Sequence, residues 1–366
     1  MLRLMIFSIL LASSAVEAQK TFLYVGTYTQ NGSIGIYIYE YKARSGALTP
    51  VGTAGQLQNP SFLTLSPDQK FLYAVQEIDA GLVSAFKITP ESGQLTRLND
   101  QPVKGIWPCH LQVDRTGRWL IVGNYGSGNL SVLPINPDGS LQPVSQTLQH
   151  TGHGPHLQRQ DKAHVHSINI DRDNRFVIVA DLGIDQLVAY SLDSQHGRLS
   201  PAKIPFTPVT SGAGPRHFAW HPRGQFAYGI MELNSTITVF NYKPGQLTPI
   251  QTISTLPGDF AGENTCADIH LSPDGKFLYG SNRGHHSIAI FAVHSKNGHL
   301  TALGHQSVLG ETPRNFALDP QGRFLLVANQ NTDNIQVFKR HKKTGLLTYT
   351  GQEIKVSRPV CLVFRP

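Results

Sequence analysis

The chain has 366 residues, of which 40% are hydrophobic and 15% charged, a composition typical of a soluble globular protein with ample material for a core. Its formal net charge is +7, but the basic residues are spread along the chain and do not indicate a nucleic-acid-binding or membrane-binding arm. A mildly basic body suits an anionic small-molecule ligand, and it equally suits simple solubility.

The first residues have the pattern of an export signal. Arg3 precedes the apolar stretch 4–12, and the small-residue pattern at 16–18 resembles a cleavage site. Nine apolar residues are too few to cross a bilayer, which takes about 20. The sequence therefore predicts a signal peptide at residues 1–18, a single domain at residues 19–366, no membrane span, and a periplasmic or secreted location.

An aromatic residue opens a short apolar run at regular intervals along the rest of the chain. Successive members of this set are 47 to 57 residues apart, and they are Phe22, Phe71, Trp119, Phe176, Phe226, Phe277 and Phe324. A period near fifty over the whole mature chain indicates a repeat architecture.

Each repeat contains four alternating runs separated by turns. In the last repeat a run starts at Pro313, a turn at 319–322 leads to the run from Phe324, a third run covers 335–338, and Gly345 begins the turn into the fourth. Alternating runs of strand length between Pro, Asp and Gly turns predict an antiparallel meander. Four such strands form one blade of a β-propeller, so the predicted fold is all-β.

The two ends of the chain complement each other. Phe22 opens a second-strand run, and the mature chain has no room before it for a first strand. The C-terminal segment 359–366 matches 60–67 in pattern and supplies that strand. The C-terminus therefore closes a seven-bladed ring by pairing with the N-terminal blade, which removes open sheet edges. An open stack of sheets is the alternative fold.

The repeat also predicts which residues meet at one mouth of the central channel. Because neighbouring strands are antiparallel, the start of each innermost strand lies beside the end of the second strand. The innermost strands place these residues there: Ser61, Cys109, His166, Arg216, Ala267, Arg314 and Val360. The second strands contribute Tyr28, Glu77, Tyr125, Leu182, Glu232, Arg283 and Gln330.

Arginines, histidines and carboxylates at one mouth indicate a site for an anionic small molecule. Arg216, Arg283 and Arg314 would repel one another unless an anion or carboxylates lay among them. Arginine binds carboxylate or phosphate through two parallel hydrogen bonds and can stabilise an oxyanion, while Glu232 or His166 could act as a general acid or base. This chemistry fits ester or lactone hydrolysis, and equally addition or elimination beside a carboxylate.

The cysteines and the histidine pair give weaker indications. Cys109, Cys266 and Cys361 are predicted to be buried free thiols, and only Cys109, beside His110, has the flanking base that a nucleophile needs. His164 and His166 have the spacing of metal ligands on one face of a strand, but no third ligand accompanies them. We therefore expect neither a metal nor a cofactor.

At these residues the sequence resembles the seven-bladed lactonase family, which includes propeller-type 6-phosphogluconolactonases and fungal carboxymuconate cycloisomerases. The resembling segments are 164–170, 214–218, 232–235, 267–275, 282–283 and 313–316. The resemblance implies a metal-free catalytic set of His166, Arg216, Glu232 and Arg283. It also implies substrate-binding neighbours, which are Asp268, His270, Arg314, His217 and Asn234.

The resulting hypothesis is a monomeric hydrolase for the lactone of a sugar acid. Two alternatives use the same mouth: an exported propeller that binds an anionic ligand or a protein without catalysis, and a muconate-type cycloisomerase. The predicted export signal separates the chain from phosphorylated lactones of the cytoplasm, so the sequence leaves open whether the substrate carries a phosphate.

Overall fold

The computed structural model describes residues 20–366, in which 28 strands form seven four-stranded antiparallel blades around a channel. Residues 1–19, with the predicted signal peptide, lie outside the described residues. Within residues 20–366 no helix is long and apolar enough to cross a membrane. The prediction of a closed, seven-bladed all-β propeller is confirmed.

The strands follow one another in groups of four, each running from the channel outwards, with the first group lacking its innermost member. The first half of the chain contains β1 (Thr21–Thr27), β2 (Ile36–Lys42), β3 (Ala47–Ala54), β4 (Leu63–Leu65), β5 (Phe71–Gln76), β6 (Leu82–Ile88), β7 (Leu95–Pro102), β8 (Pro108–Val113), β9 (Trp119–Asn124), β10 (Asn129–Pro134), β11 (Gln146–Gln149), β12 (Val165–Ile170), β13 (Phe176–Asp181), β14 (Gln186–Asp193) and β15 (Arg198–Pro208). Two 3₁₀ turns lie between these strands, at Gln30–Gly32 and Leu182–Ile184.

The second half continues the same pattern and ends with the missing strand. It contains β16 (Pro215–Trp220), β17 (Phe226–Met231), β18 (Thr236–Lys243), β19 (Gln246–Ser254), β20 (Thr265–Leu271), β21 (Phe277–Arg283), β22 (Ser287–Val293), β23 (Leu300–Ser307), β24 (Pro313–Leu318), β25 (Phe324–Asn329), β26 (Asn334–Arg340), β27 (Leu347–Lys355) and β28 (Pro359–Arg365). We number the blades 1 to 7 from the blade that contains β1.

The last strand closes the ring. β28 pairs antiparallel with β1, with Phe22 opposite Arg365 and Val25 opposite Leu362, and so completes blade 1 in the order β28-β1-β2-β3. The innermost strands of neighbouring blades contact one another all the way round, including β24 with β28 and β28 with β4. Blade 1 therefore has four strands like the other six blades, and the ring of blades is closed.

The seven repeated aromatics join neighbouring blades. Each aromatic ring packs against a glycine of positive φ in the outer turn of the following blade, so closely that an added Cβ would lie 2.1 to 2.9 Å from the ring. The pairs are Phe22 with Gly93, Phe71 with Gly139, Trp119 with Gly197, Phe176 with Gly245, Phe226 with Gly298, Phe277 with Gly345, and Phe324 with Gly46. Only glycine combines this backbone conformation with so close a contact.

Four of these contacts carry an additional hydrogen bond. A tyrosine two residues after the aromatic donates its buried hydroxyl to the carbonyl of the partner glycine, at 2.8 to 3.1 Å. The four tyrosines are Tyr24, Tyr73, Tyr228 and Tyr279. The repeat therefore sets the spacing between blades as well as the strands within each blade.

The three cysteines are free and buried, as predicted. Burial raises the pKa of Cys266 to about 11 and that of Cys361 to about 12. Burial raises the pKa of Cys109 as well, which favours the protonated thiol over the nucleophilic thiolate.

Candidate active site

The innermost strands have a β-bulge at the channel mouth, which the sequence pattern did not predict. In β12 the residues Val165 and Ser167 pair with successive residues of β13, and His166 is left unpaired between them. The same irregularity leaves Cys109, Arg216 and Arg314 unpaired in their own blades. A bulge turns the extra side chain out of the regular alternation, and it is the means by which these residues reach one cavity.

The mouth holds a cavity of about 300 Å³, a size at the lower end of the range for small-molecule sites. Charged, aromatic and histidine side chains make up most of its wall, together with one thiol: Tyr28, Glu77, Trp107, Cys109, Tyr125, Arg159, His166, Glu232, Arg283 and Arg314. A smaller cavity of about 10 Å³ lies deeper in the channel and shares Glu77, Cys109, His166 and Arg314 with the first.

Glu232 is the centre of the charge arrangement. Its side chain is 2% exposed, and its Oε2 lies 2.8 Å from Nε of Arg216 and 3.1 Å from Nη2 of Arg283. The Arg216 contact is an ion pair whose N–H is not aligned for a hydrogen bond. Arg159 donates a hydrogen bond to Oε1, and Nε2 of His166 lies 3.9 Å from Oε2. One buried carboxylate therefore holds three arginines together.

These contacts fix the protonation state of both candidate bases. Burial opposes ionisation of Glu232, but Arg283, Arg216 and Arg159 outweigh it and lower the pKa of this carboxyl to about 2. Burial, followed by the charges of Arg216 and neighbouring groups, lowers the pKa of His166 well below its ordinary value. At neutral pH the site thus contains a carboxylate beside an uncharged imidazole.

Two of the arginines that contact Glu232 are also bound to the backbone. Arg216 donates to the carbonyl of Ala267 at 2.6 Å, and Arg283 donates to that of Cys266 at 2.8 Å. Burial and the neighbouring charge of Arg283 lower the pKa of Arg216 to about 10, which leaves it charged at neutral pH. Both guanidinium groups are therefore fixed in place before any ligand arrives.

Arg314 differs from the other three arginines. Across residues 20–366 its guanidinium makes no hydrogen bond and no ion pair; its central carbon lies 5.2 Å from the centre of the Tyr28 ring. Its donors therefore face the cavity without a protein acceptor, which is the arrangement that binds an incoming anion or a developing oxyanion.

A second polar network lies deeper in the channel and orients His217. Asp268 accepts from Nδ1 of His217 at 2.7 Å and from the amide of Asn315 at 2.6 Å, and it lies 2.9 Å from Nε2 of His270. With Nδ1 carrying the proton, Nε2 of His217 faces Arg216 at 3.2 Å. Burial and Arg216 lower the pKa of His217 to about 4, against the opposing charge of Asp268. This network therefore fixes the orientation of His217, which lines the smaller cavity.

Six of the nine candidate residues line one or both of the two cavities, and three line neither. Those in the wall of the mouth cavity are His166, Glu232, Arg283 and Arg314. Those in the wall of the smaller cavity include Arg216 and His217, together with His166 and Arg314. The remaining three lie outside both walls: Asp268 and His270 in the deeper network, and Asn234 in an exposed turn, where it accepts from Thr236 at 2.8 Å.

Arg159 is a wall residue that the repeat pattern does not predict. It lies in the segment between β11 and β12, in the repeat whose aromatics, Trp119 and Phe176, are farthest apart. The neighbouring Gln160 is fully buried and donates to the Leu182 carbonyl and to Asp185, both at 2.8 Å, which anchors the segment over the mouth. The longer interval was the available indication of an insertion here.

The histidine pair considered for a metal does not share a strand face. His164 precedes β12, its Nδ1 lies 2.9 Å from the Tyr125 carbonyl, and its Nε2 lies 2.9 Å from Asp161. The bulge at His166 breaks the alternation on which the expected shared face depended. Within the described part of the chain, no three His, Cys, Asp or Glu side chains group as a metal site.

Fold and site together define a seven-bladed propeller with an arginine-rich, carboxylate-containing cavity at one channel mouth. The family described as "Lactonase, 7-bladed beta-propeller" matches residues 22–364, and the chain belongs to this family. The resemblance noted in the sequence is thereby confirmed.

Named relatives fall into two kinds. A 6-phosphogluconolactonase of Bacillus subtilis (strain 168) is 40% identical over 298 residues, which cover 80% of this chain and 83% of that protein. A 6-phosphogluconolactonase of Formosa agariphila is 36% identical over 303 residues, covering 81% and 86%. The solved structure of a periplasmic gluconolactonase of Pseudomonas aeruginosa has a TM-score of 0.90 at 35% identity, covering 94% of this chain and 99% of that one.

Proposed function

We propose that the protein hydrolyses the lactone of a sugar acid in the mouth cavity. The observation that carries the proposal is the ionised Glu232, held by three arginines beside the uncharged His166 in a cavity of small-molecule size. Membership of the lactonase family and the names of the relatives support the same activity.

The arginines can stabilise the negative charge that develops during the reaction. When water adds to a lactone carbonyl, negative charge develops on the carbonyl oxygen, and donors fixed in advance lower the barrier. Arg314 has donors directed at the cavity without a protein acceptor, and the exposed part of Arg159 lies at its entrance. We assign the oxyanion to Arg314 and Arg283, with Arg216 supporting Glu232 from behind.

His166 is the better candidate for the proton transfer. The low pKa values make both groups weak bases, but Glu232 is already held by three arginines, whereas the uncharged imidazole borders the cavity with its Nε2 3.9 Å from a carboxylate that can stabilise its charged form. His166 takes a proton from the attacking water, Glu232 stabilises the imidazolium that forms, and the proton passes to the ring oxygen as the C–O bond breaks. The product is the open hydroxy acid, which is ionised at neutral pH.

The proposal also states where the protein acts and whether its substrate carries a phosphate. The predicted signal peptide and the periplasmic relative support an exported protein, and outside the cytoplasm an unphosphorylated sugar lactone is the more accessible substrate. We therefore propose a periplasmic or secreted lactonase for an unphosphorylated aldonolactone.

Titration of released acid at constant pH tests the activity directly. Mature protein is assayed with D-glucono-1,5-lactone and with its 6-phosphate, beside the variants Glu232→Gln and His166→Gln. His196→Gln is the matched control, because His196 is exposed in an outer turn of blade 4. We expect turnover by wild type and by His196→Gln, and losses of about 100-fold or more in kcat for the site variants.

Wild-type rates no higher than spontaneous hydrolysis with both lactones would refute the proposal. Ligand binding without turnover would then favour the non-catalytic propeller.

A further inference from the structure

The mouth cavity contains a second carboxylate that the proposed hydrolysis does not use. Glu77 follows β5 in blade 2, and Glu232 follows β17 in blade 5, so the two lie on different sides of the ring while lining the same cavity. Glu77 also borders the smaller cavity beneath. The contacts of Glu77 with its neighbours indicate its role.

Glu77 is held by neutral donors, in contrast to Glu232. The hydroxyl of Tyr28 donates to both of its carboxylate oxygens, at 3.0 and 3.1 Å, and the hydroxyl of Ser61 donates to Oε2. Burial is the main cause of the raised pKa of Tyr28, so its hydroxyl stays protonated and remains a donor. Within residues 20–366 no cation lies at ion-pairing distance from Glu77.

These contacts leave acceptor capacity facing the cavity. An ionised carboxylate offers about four lone-pair sites, and two hydroxyl donors do not fill them. Beside it, over the ring of Tyr28, Arg314 presents donors without a protein partner. An acceptor next to a donor suits a ligand hydroxyl, which needs both, whereas a carboxylate or phosphate of the ligand would be repelled by Glu77.

The entrance beside Glu77 also has an apolar surface. Trp107 lines the cavity with 46% of its area exposed, and its indole N–H donates to Asp79 at 2.7 Å. Its backbone has a φ of 52°, an uncommon conformation for a bulky residue. A fixed, exposed ring is suited to cover the C–H face of a sugar ring.

We propose that Glu77, oriented by Tyr28 and Ser61, is the subsite that binds the hydroxyl groups of a polyhydroxylated lactone. This inference rests on the proposed lactonase activity and extends it, because it states how the substrate is selected. The subsite favours a neutral sugar lactone over an unsubstituted lactone and over a dicarboxylate.

Two lactones with the same six-membered ring test the subsite. D-Glucono-1,5-lactone carries hydroxyl groups, and δ-valerolactone carries none. For wild type and Glu77→Gln, the ratio of kcat/KM for the first to that for the second is measured. We expect the ratio to fall about 10- to 100-fold in the variant, mostly through a higher KM for gluconolactone, because a charge-assisted hydrogen bond is lost.

The matched control is Glu91→Gln, an exposed glutamate in an outer turn of the same blade, which should keep the wild-type ratio. Melting temperatures establish that both variants are folded. Equal losses on the two lactones, or no loss on either, would overturn the subsite.

Binding of the stable product keeps the subsite testable apart from catalysis. Calorimetry with D-gluconate on wild type and Glu77→Gln should show binding weakened about tenfold or more by the variant. If wild type turned over neither lactone, the proposed function would fail while this comparison still decided on the subsite; an unchanged Kd in the variant would overturn the subsite alone.

Discussion

Glu232 shows how a single residue sets the pH dependence of the site. Its pKa is near 2 and that of His166 lies well below 6.5, so neither group changes charge between pH 6.5 and 8. We therefore expect kcat/KM for gluconolactone, corrected for spontaneous hydrolysis, to vary by less than about threefold over this interval. A titration near pH 7 in the pH–rate profile would show that another group controls the reaction.

The same residue should contribute strongly to stability. Glu232→Gln leaves three buried or half-buried arginines without their shared anion, and breaking such an arrangement costs about 2–4 kcal/mol of unfolding free energy at pH 7. A folded-state pKa below the unfolded value means that wild type has this stabilisation above about pH 4.5 and loses it as pH falls towards 2.

Urea unfolding at pH 7 and pH 3 measures this effect. The difference between wild type and Glu232→Gln should shrink at the lower pH. Glu353→Gln, whose partner Lys355 is exposed, should cost about 1 kcal/mol or less. A variant as stable as wild type at pH 7 would contradict the interpretation of Glu232 as the anchor of the arginines.

Single residues also show the limits of sequence reasoning. His166, Glu232, Arg283 and Arg314 were predictable, because the repeat gives each a known distance from its aromatic and hence a place at the mouth. Arg159 was not, since it lies outside the repeat in an inserted segment whose path depends on tertiary contacts.

At the scale of the strand, the sequence does not predict the β-bulges of the innermost strands. A bulge depends on how two strands pair, and the alternation of apolar residues in one strand does not reveal it. Without bulges at Cys109, His166, Arg216 and Arg314, regular alternation would not direct these side chains into the mouth as observed. The position of the site was therefore predictable, and the geometry that assembles it was not.

The inserted segment before β12 gives a prediction at the same scale. Gln160 is fully buried and bonds Leu182 and Asp185, so Gln160→Ala should leave these acceptors unsatisfied and loosen the segment that presents Arg159. We expect kcat/KM to fall roughly 5- to 20-fold, with a lower melting temperature. Gln158→Ala, an exposed neighbour, is the control; equal effects of both changes would count against the anchoring role.

At the scale of the whole molecule, the contacts between blades explain the sequence period of about fifty residues. Phe226 of blade 5 packs on Gly298 of blade 6, and an added Cβ at Gly298 would lie 2.5 Å from the ring in a backbone with a φ of 72°. Gly351 has a similar φ of 81° but nothing within 4 Å of an added Cβ. Comparing the single variants Gly298→Ala and Gly351→Ala therefore separates the effect of a clash between blades from the effect of backbone strain.

Both substitutions carry the backbone cost of alanine at positive φ, about 1–2 kcal/mol, and only Gly298→Ala adds overpacking of about 1–3 kcal/mol. We expect Gly351→Ala to lower Tm by about 2–4 °C and Gly298→Ala by roughly 5–10 °C. Because the blades contact one another around a closed ring, we expect β28 to lose its pairing with β1 in the same unfolding transition. Equal melting temperatures for the two variants would mean that the aromatic–glycine contact does not hold the blades together.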